Sequence, residues 1–255
     1  MHSLPDFVII ALLLAIVFGS LWVGLRMGAG KRRRGAPDKE HLGTIQGAIL
    51  GLLGLVLGFS FSGAMGRFID RQDALATEAN AITTAYERAE LLPTGGRVRD
   101  ALRQYATLRL ELFRENRAKP AAELEARMLA IYESARAAVY EGARASPQFA
   151  LLGVAGLEGV QDEFARRSAF DRRSLPAEMI LALVVSSCLS MGIIGFGVGL
   201  AERSSLGSAA ALAGLVVMTL FLTIDFDRPR HGFITLDASA LEHAVRQTSG
   251  GAGGR

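Results

Sequence analysis

The chain has 255 residues, of which 50% are hydrophobic and only 7% aromatic, and its formal net charge is +3 at pH 7. Apolar character that comes mainly from small aliphatic residues suits lipid better than a soluble core. The modest charge gives no reason to expect a nucleic-acid partner. The single cysteine, Cys188, excludes an intrachain disulfide.

Four uncharged runs have about the 20 residues that a membrane-spanning helix needs. They cover residues 7–25, 42–66, 179–201 and 204–224. An unpaired peptide group costs several kcal/mol in hydrocarbon, so these runs should be helical in spite of their glycines. We predict four transmembrane helices that have the lipid bilayer as their partner.

The first run and the residues after it predict the orientation of the chain. No positive residue precedes the run and no small-residue cleavage site follows it, which favours a retained anchor over a cleaved signal peptide. Basic residues then accumulate before the second run: Arg26, Lys31, Arg32, Arg33, Arg34 and Lys39. Because basic loops favour the cytoplasm, we expect an outside N-terminus in a multi-pass protein of the bacterial inner membrane.

The second run carries a stripe of small residues. Spacings of four and three place them along one helical face. They are Gly47, Gly51, Gly54, Gly58, Ser62 and Gly66. The first interpretation of this stripe is close packing between helices, which small residues allow in a membrane. The alternative is a pore-lining or gating helix that lets a ring of subunits close around an axis.

The segment between the second and third runs should be helical throughout, because it is rich in Arg, Glu and Ala and contains few β-branched residues. No helix breaker separates Thr44 from Leu92, so the second helix should continue well beyond the apolar run. Three further helices are predicted at about 97–117, 121–144 and 147–173. Together they would form an all-α extramembrane bundle.

Polar side chains on the continued second helix are candidates for an interface. They are Arg67, Arg71, Glu78, Asn80, Tyr86 and Arg88. Glu78 flanks an apolar seam, where its carboxylate would face Arg71 or Arg88 in a neighbouring helix. The first interpretation is an ion and hydrogen-bond network between helices. The alternative is a polar constriction or ligand site at a subunit interface.

A second glycine cluster lies inside the third run. Its members are Gly192, Gly195, Gly197 and Gly199. They lack the order of a dinucleotide-binding loop and lie in an apolar span. We therefore expect helix packing, or a locally irregular helix that frees carbonyl groups toward a cavity.

Asp225 and Asp227 end the fourth run as a membrane-edge acidic pair. We expect them to pair with Arg228 and Arg230 at the level of the headgroups. A calcium site is the alternative, although two carboxylates supply few of the roughly six to eight oxygen ligands that calcium takes. We predict no metal, no cofactor and no catalytic residue, because the four histidines are isolated and no catalytic motif occurs.

Two stretches carry a family resemblance: RQDALATEANAITTAYERAELLP at 71–93 and DFDRPRHGFI at 225–234. They resemble the bacterial bestrophin-like domain family of membrane proteins, and the resemblance covers nearly all of residues 40–240. The most specific matches are Glu78, Asn80, Ala81, Ile82, Ala85, Tyr86, Pro93, Asp225, Asp227, Arg228, Pro229 and Gly232. The resemblance implies a four-span, all-α protein.

Bestrophins themselves, which are pentameric anion channels with four spans per subunit, are similar in architecture. They keep their helical domain in the cytoplasm, whereas the basic loop of this chain predicts the opposite side. The resemblance implies an oligomeric channel for small anions as one function. Such an inference from fold alone is a hypothesis.

The predicted fold is all-α, with four transmembrane helices and an extramembrane helical bundle inserted between the second and third spans. Its segments are a first anchor with a basic loop (1–43), a second transmembrane helix (44–66), a helical domain (67–178), a transmembrane hairpin (179–227) and a short tail (228–255), disordered from about residue 249.

The favoured function is passive conduction of small anions by a homo-oligomer. Gly51, Gly54 and Gly58 would line or support the pore, and Arg67 would attract anions at its mouth. The alternative is a non-conducting structural or sensory membrane protein whose helical bundle binds a partner.

Overall fold

A computed structural model describes residues 5–33, 39–115, 118–171, 175–201, 205–228 and 232–250. Within these ranges the chain forms eight α-helices and no β-strand. The helices are α1 (Asp6–Arg32), α2 (Lys39–Ala89), α3 (Gly95–Arg114), α4 (Ala118–Ala145), α5 (Pro147–Asp171), α6 (Ala177–Leu200), α7 (Leu206–Phe226) and α8 (Ser239–Gly250). The predicted all-α fold is confirmed.

Four helices are long and apolar enough to cross a membrane: α1, α2, α6 and α7. They correspond to the four uncharged runs of the sequence. An α-helix pairs its peptide groups within the segment, which is what hydrocarbon requires. The chain is a membrane protein with four candidate spans.

The chain divides into two compact units. The membrane unit comprises Met1–Phe68 and Ser174–Thr235, and the helical unit comprises Ile69–Arg173 and Leu236–Arg255. Helices α1, α6 and α7 belong to the membrane unit, and α3, α4, α5 and α8 belong to the helical unit. Helix α2 is continuous and contributes residues to both.

Glycines bring the backbones of α1 and α6 together in the membrane unit. A Cβ atom at Gly24 would overlap the carbonyl group of Gly192, and one at Gly195 would overlap that of Leu21. Such close approach gains dispersion contacts between helices where lipid offers no hydrophobic driving force. Of the two structures expected for the second glycine cluster, helix packing is the one observed, and α6 is an unbroken helix.

The core of the membrane unit extends from this contact to α7. Leu13 and Val17 of α1 are buried with Met191 of α6 and with Ala213 and Leu220 of α7. The small residue on α7 lets the larger aliphatic side chains of the other helices fill the space beside it. These three helices therefore share one apolar interior, to which α2 also contributes.

The helical unit has the amphipathic helices that the sequence predicts. Helices α3, α4 and α5 lie close to the predicted ranges. Their apolar faces enclose a core that includes Ile82 of α2, Leu102 and Tyr105 of α3, Val139 of α4 and Val160 of α5. The apolar spacing of three and four residues gives each helix one buried face.

Helix α8 is not among the helices predicted from the sequence, because residues 228–255 are predicted to form a short tail. It buries Leu241 and Ala244 against Leu75 of α2. Asp237 accepts hydrogen bonds from the backbone nitrogen of Ser239 at 2.9 Å and from its hydroxyl at 2.6 Å, and so starts the helix. Residues 249 and 250, predicted to be disordered, lie within α8, while residues 251–255 lie outside the described ranges.

Candidate functional site

The stripe of small residues on α2 faces open space within the described chain. A Cβ atom built at any of its five glycines meets no described atom outside its own helix within 4 Å; these are Gly47, Gly51, Gly54, Gly58 and Gly66. Ser62, the remaining member, is exposed. In the most apolar 18-residue stretch of α2 only 17% is buried, compared with 50% in the corresponding stretch of α7. The stripe is therefore available to a partner from outside the chain.

The other side of α2 is fixed to the membrane unit. Leu53 and Leu57 are 4% and 6% exposed and belong to the shared apolar core. The side-chain amide of Gln46 donates a hydrogen bond to the carbonyl oxygen of Ile193 at 2.9 Å. Gly197 leaves the space that this amide occupies, since a Cβ atom there would overlap it. These contacts set which face of α2 stays open.

Arg67 directly follows the stripe and forms an ion pair with Asp227. Arg67 Nε lies 3.3 Å from Asp227 Oδ1, and Asp227 Oδ2 accepts a hydrogen bond from the backbone nitrogen of Leu175 at 2.8 Å. The Asp227 side chain is 6% exposed and that of Arg67 is 26% exposed. The carboxylate thus holds Arg67 beside the last span and offsets part of its charge.

Asp225 has a different role from the one predicted. Its two oxygens accept hydrogen bonds from the backbone nitrogens of Phe233 and Ile234, both at 2.9 Å. Gly232 allows the loop to pass, because a Cβ atom there would overlap the Asp225 carboxylate. The acidic residue therefore shapes the chain that follows α7.

The basic partners expected for the acidic pair differ in the structure. Arg228 Nη1 lies 3.1 Å from Asp6 Oδ1 at the start of α1. Arg230 lies outside the described residues. Within the described ranges, no three His, Cys, Asp or Glu side chains are grouped so that they could hold a metal ion.

An aromatic cluster beside Arg67 was missed in the sequence. The ring of Phe226 lies 5.6 Å from that of Phe61 and 5.5 Å from that of Phe68, measured between centroids. Phe61 and Phe68 are seven residues apart on α2 and so share a face, which was the available signal. The three rings pack with Ala64 in one apolar cluster.

Glu78 lies at the centre of a buried ion network in the helical unit. Arg109 donates from Nε and Nη2 to the two carboxylate oxygens at 2.8 and 2.9 Å. Arg167 Nε lies 2.9 Å from Oε2, and Arg167 also pairs with Asp171. An interhelical ion network was the first interpretation of this position. Its partners, however, are Arg109 of α3 and Arg167 of α5, and not the expected Arg71 or Arg88.

The remaining polar candidates on α2 are dispersed. Tyr86 is buried, and its hydroxyl accepts hydrogen bonds from Arg99 at 3.1 Å and from Arg103 at 3.4 Å. The pKa of Arg103 is raised, mainly because of its hydrogen bond with Tyr86. Arg71 is buried and donates to the carbonyl oxygen of Phe170 at 3.4 Å.

Two of the polar candidates lie away from these contacts. Asn80 is exposed. Arg88 is half-buried, and its aliphatic stem lies beside Gly156 of α5. The structure therefore brings Glu78 into an ion network and Tyr86 into a separate group, and it does not join all six candidates in one site.

The fold and the open stripe define a four-span, all-α membrane protein. A family model for the bestrophin-like domain matches residues 11–241. Since this match covers most of the chain, the chain belongs to the bestrophin-like domain family. No match was found among curated protein sequences.

Solved structures share this fold at low sequence identity. A bacterial bestrophin homologue from Klebsiella pneumoniae, in a form with one tyrosine replaced by alanine, has a TM-score of 0.74 and 14% identity over 95% of this chain and 99% of that chain. A structure of the Klebsiella pneumoniae homologue phased with zinc has a TM-score of 0.72, with 15% identity over 95% and 98% of the two chains. A structure described as a membrane protein, with one serine replaced by alanine, has a TM-score of 0.71, with 17% identity over 97% and 98%.

Proposed function

We propose that this protein is an oligomeric ion channel, with small anions as the permeant ions, in which the stripe of α2 faces the permeation path. The observation that carries the proposal is the stripe itself, because a Cβ atom at any of its five glycines would meet open space within the described chain and Ser62 is exposed. Copies of α2 can approach closely along such a surface. A ring of these helices would leave a narrow path lined by backbone and small side chains.

Two further observations support this function. Family membership favours the channel class, because the resemblance to bestrophins implies an oligomeric channel. Arg67, at the end of the stripe, is partly exposed and held by Asp227, which offers a positioned positive group to an anion. Gly51, Gly54 and Gly58 would lie along the path, and Arg67 at its mouth.

The four candidate spans and the basic residues after α1 support a proposal for the location. We place the protein in the bacterial inner membrane as a multi-pass homo-oligomer with its N-terminus outside. Reporters inserted in the loop after α1 and near Glu123 would test the orientation. A cytoplasmic signal from the second reporter would overturn it.

The conduction test uses the single native cysteine. In a Cys188→Ala background, Ser62→Cys places a thiol on the stripe, whereas Leu53→Cys places one on the buried face of α2. Each protein is reconstituted in liposomes, and anion flux is measured before and after a charged, water-soluble thiol reagent. We expect protein-dependent flux that changes with the anion supplied and that the reagent reduces for Ser62→Cys alone.

The contrary result would favour the non-conducting function. If correctly oligomerised protein gives no flux above empty liposomes, conduction is excluded. The continuous helix α2, which contributes to both units, then supports a sensory protein that transmits motion along this helix.

A further inference from the structure

A groove runs along the membrane unit between α1 and α6, apart from the stripe of α2. Its volume is about 680 Å³. Gly19, Val23 and Met27 of α1 line one side, and Leu189, Ile193 and Phe196 of α6 line the other. It has no role in the proposed ion path.

Glycines create the groove. Gly24 and Gly192 bring the two backbones into contact at its floor, so the larger side chains on either side stand above that contact. Gly19 leaves its part of the wall empty, because a Cβ atom there meets nothing within 4 Å. The result is an elongated groove between two rows of aliphatic and aromatic side chains.

The lining of the groove favours an apolar ligand. Its lining is almost wholly apolar, and the hydroxyl of Ser20 already donates to the carbonyl oxygen of Ile16 at 2.9 Å. The lining on α1 extends from Ile16 to Met27, which at the helical rise corresponds to about 16 Å. A long, thin, apolar occupant fits these dimensions, and both walls belong to helices that are candidate membrane spans. An acyl chain has this chemistry.

One end of the groove is positively charged. Lys31 lies four residues beyond Met27 and therefore on the same face of α1, one turn further along. Arg26 and Arg33 are also exposed at this end, and no acidic residue occurs from residue 7 to residue 33. The guanidinium group of Arg26 lies 4.7 Å from the centre of the Trp22 ring. Clusters of this kind attract anionic headgroups.

We propose that this groove binds an anionic phospholipid. One acyl chain lies along the groove, and the phosphate group rests against the basic end of α1 near Lys31. A second copy of this chain is a poorer occupant, because copies share one orientation in the membrane. Seating α1 of one copy in the groove of another would bring the basic ends of both helices together.

The chain offers a matched pair of variants. Gly19→Leu adds a bulky side chain to the groove at a position where a Cβ atom meets nothing within 4 Å, so we expect the contact between α1 and α6 to be retained. Gly214→Leu makes the same change at an unobstructed glycine of α7, away from the groove. Lys31→Gln removes a charge at the proposed phosphate position and leaves the groove open.

The experiment is native mass spectrometry of the full chain with equal amounts of phosphatidylglycerol and phosphatidylcholine of identical acyl chains. We expect the wild-type protein and Gly214→Leu to retain phosphatidylglycerol preferentially, and Gly19→Leu to lose it. Lys31→Gln should weaken the preference by about fivefold, the effect of about 1 kcal/mol per basic residue near a membrane surface. A phosphatidylglycerol with a diazirine in its acyl chain should cross-link to α1 and to the α6 segment around Cys188.

Three results would overturn the proposal. The first is equal retention of the two lipids by the wild-type protein. The second is retention that Gly19→Leu leaves unchanged, and the third is cross-linking confined to other helices. If Gly19→Leu alters the oligomeric state without changing lipid retention, a second copy occupies the groove. None of these results depends on whether the protein conducts ions.

Discussion

Glu78 and Arg109 form a two-bond ion pair in the interior of the helical unit, with 0% and 1% of their side chains exposed. Arg167 contacts the same carboxylate from α5. A buried pair of this kind adds little net stability when complete, because desolvation offsets the attraction between the charges. The loss of one member is costly, since its partners remain charged and buried. One carboxylate of α2 thereby makes the positions of α3 and α5 depend on each other.

We predict that Glu78→Gln lowers the free energy of unfolding by about 3–5 kcal/mol, the usual range when one partner of a buried ion pair is removed. Thermal unfolding of the purified protein in detergent checks this. The control is Glu242→Gln, which removes an exposed partner of Arg114 at 2.7 Å and should change stability by less than about 1 kcal/mol. Equal effects of the two substitutions would contradict the assignment.

Tyr105 should make the helical unit sensitive to alkaline pH. Burial is the largest cause that raises its pKa, and the nearby Glu78 carboxylate raises it further. In the unfolded chain tyrosine loses its proton near pH 10, while the folded protein keeps Tyr105 neutral at that pH. Its contribution to stability is therefore complete below about pH 10 and is lost as the pH rises toward the folded pKa.

We predict that Tyr105→Phe flattens the decline in melting temperature between about pH 9 and pH 11, since the variant has no phenol to ionise at this position. Tyr140→Phe is the control, because that side chain is 47% exposed. The prediction concerns the slope against pH, which loss of packing alone would not change. A slope for Tyr105→Phe that matches the wild-type slope would refute it.

Gly24 should tolerate no side chain. In Gly24→Ala, the new methyl group would overlap the carbonyl of Gly192, so we expect a loss of about 1–3 kcal/mol or failure to fold. Gly19→Ala, on the same helix but with open space around it, should be neutral. Melting curves and the yield of monodisperse protein measure both, and similar behaviour of the two variants would count against the α1–α6 contact.

Asp225 should stabilise the loop after α7 through its two backbone hydrogen bonds. We predict that Asp225→Ala costs about 1–3 kcal/mol, because two backbone donors lose their acceptor. Asp225→Asn keeps one oxygen acceptor and should cost less. Limited proteolysis around residues 232–238, together with thermal unfolding, would report the change, and an alanine variant as resistant as wild type would exclude this role.

The helices were the most predictable part of the fold. Uncharged runs of spanning length determined α1, α2, α6 and α7, because hydrocarbon leaves the backbone no alternative to helix. The amphipathic spacing around Leu102 and Met128 similarly indicated α3 and α4. Helix α8 was missed because it is short and its buried face consists of few residues, among them Leu241, whose partners on α2 are distant in sequence.

The partners of charged groups were harder to predict. Local sequence suggested Arg228 for the acidic pair, yet Asp227 bonds to Arg67, which is 160 residues away along the chain. Glu78 likewise meets Arg109 and Arg167, which tertiary packing alone brings near it. Spacing along one helix shows which face a charge occupies, but not which other helix covers that face.

The docking of α8 affects the order in which the chain assembles during synthesis. Leu75 is made early, but the residues that cover it, Leu241 and Ala244, leave the ribosome only after α6 and α7. The core of the helical unit therefore stays incomplete while the last two spans enter the membrane. Folding of this unit finishes only after α6 and α7 have been made, and a chain that stops before Ser239 would leave an apolar patch exposed to chaperones and proteases.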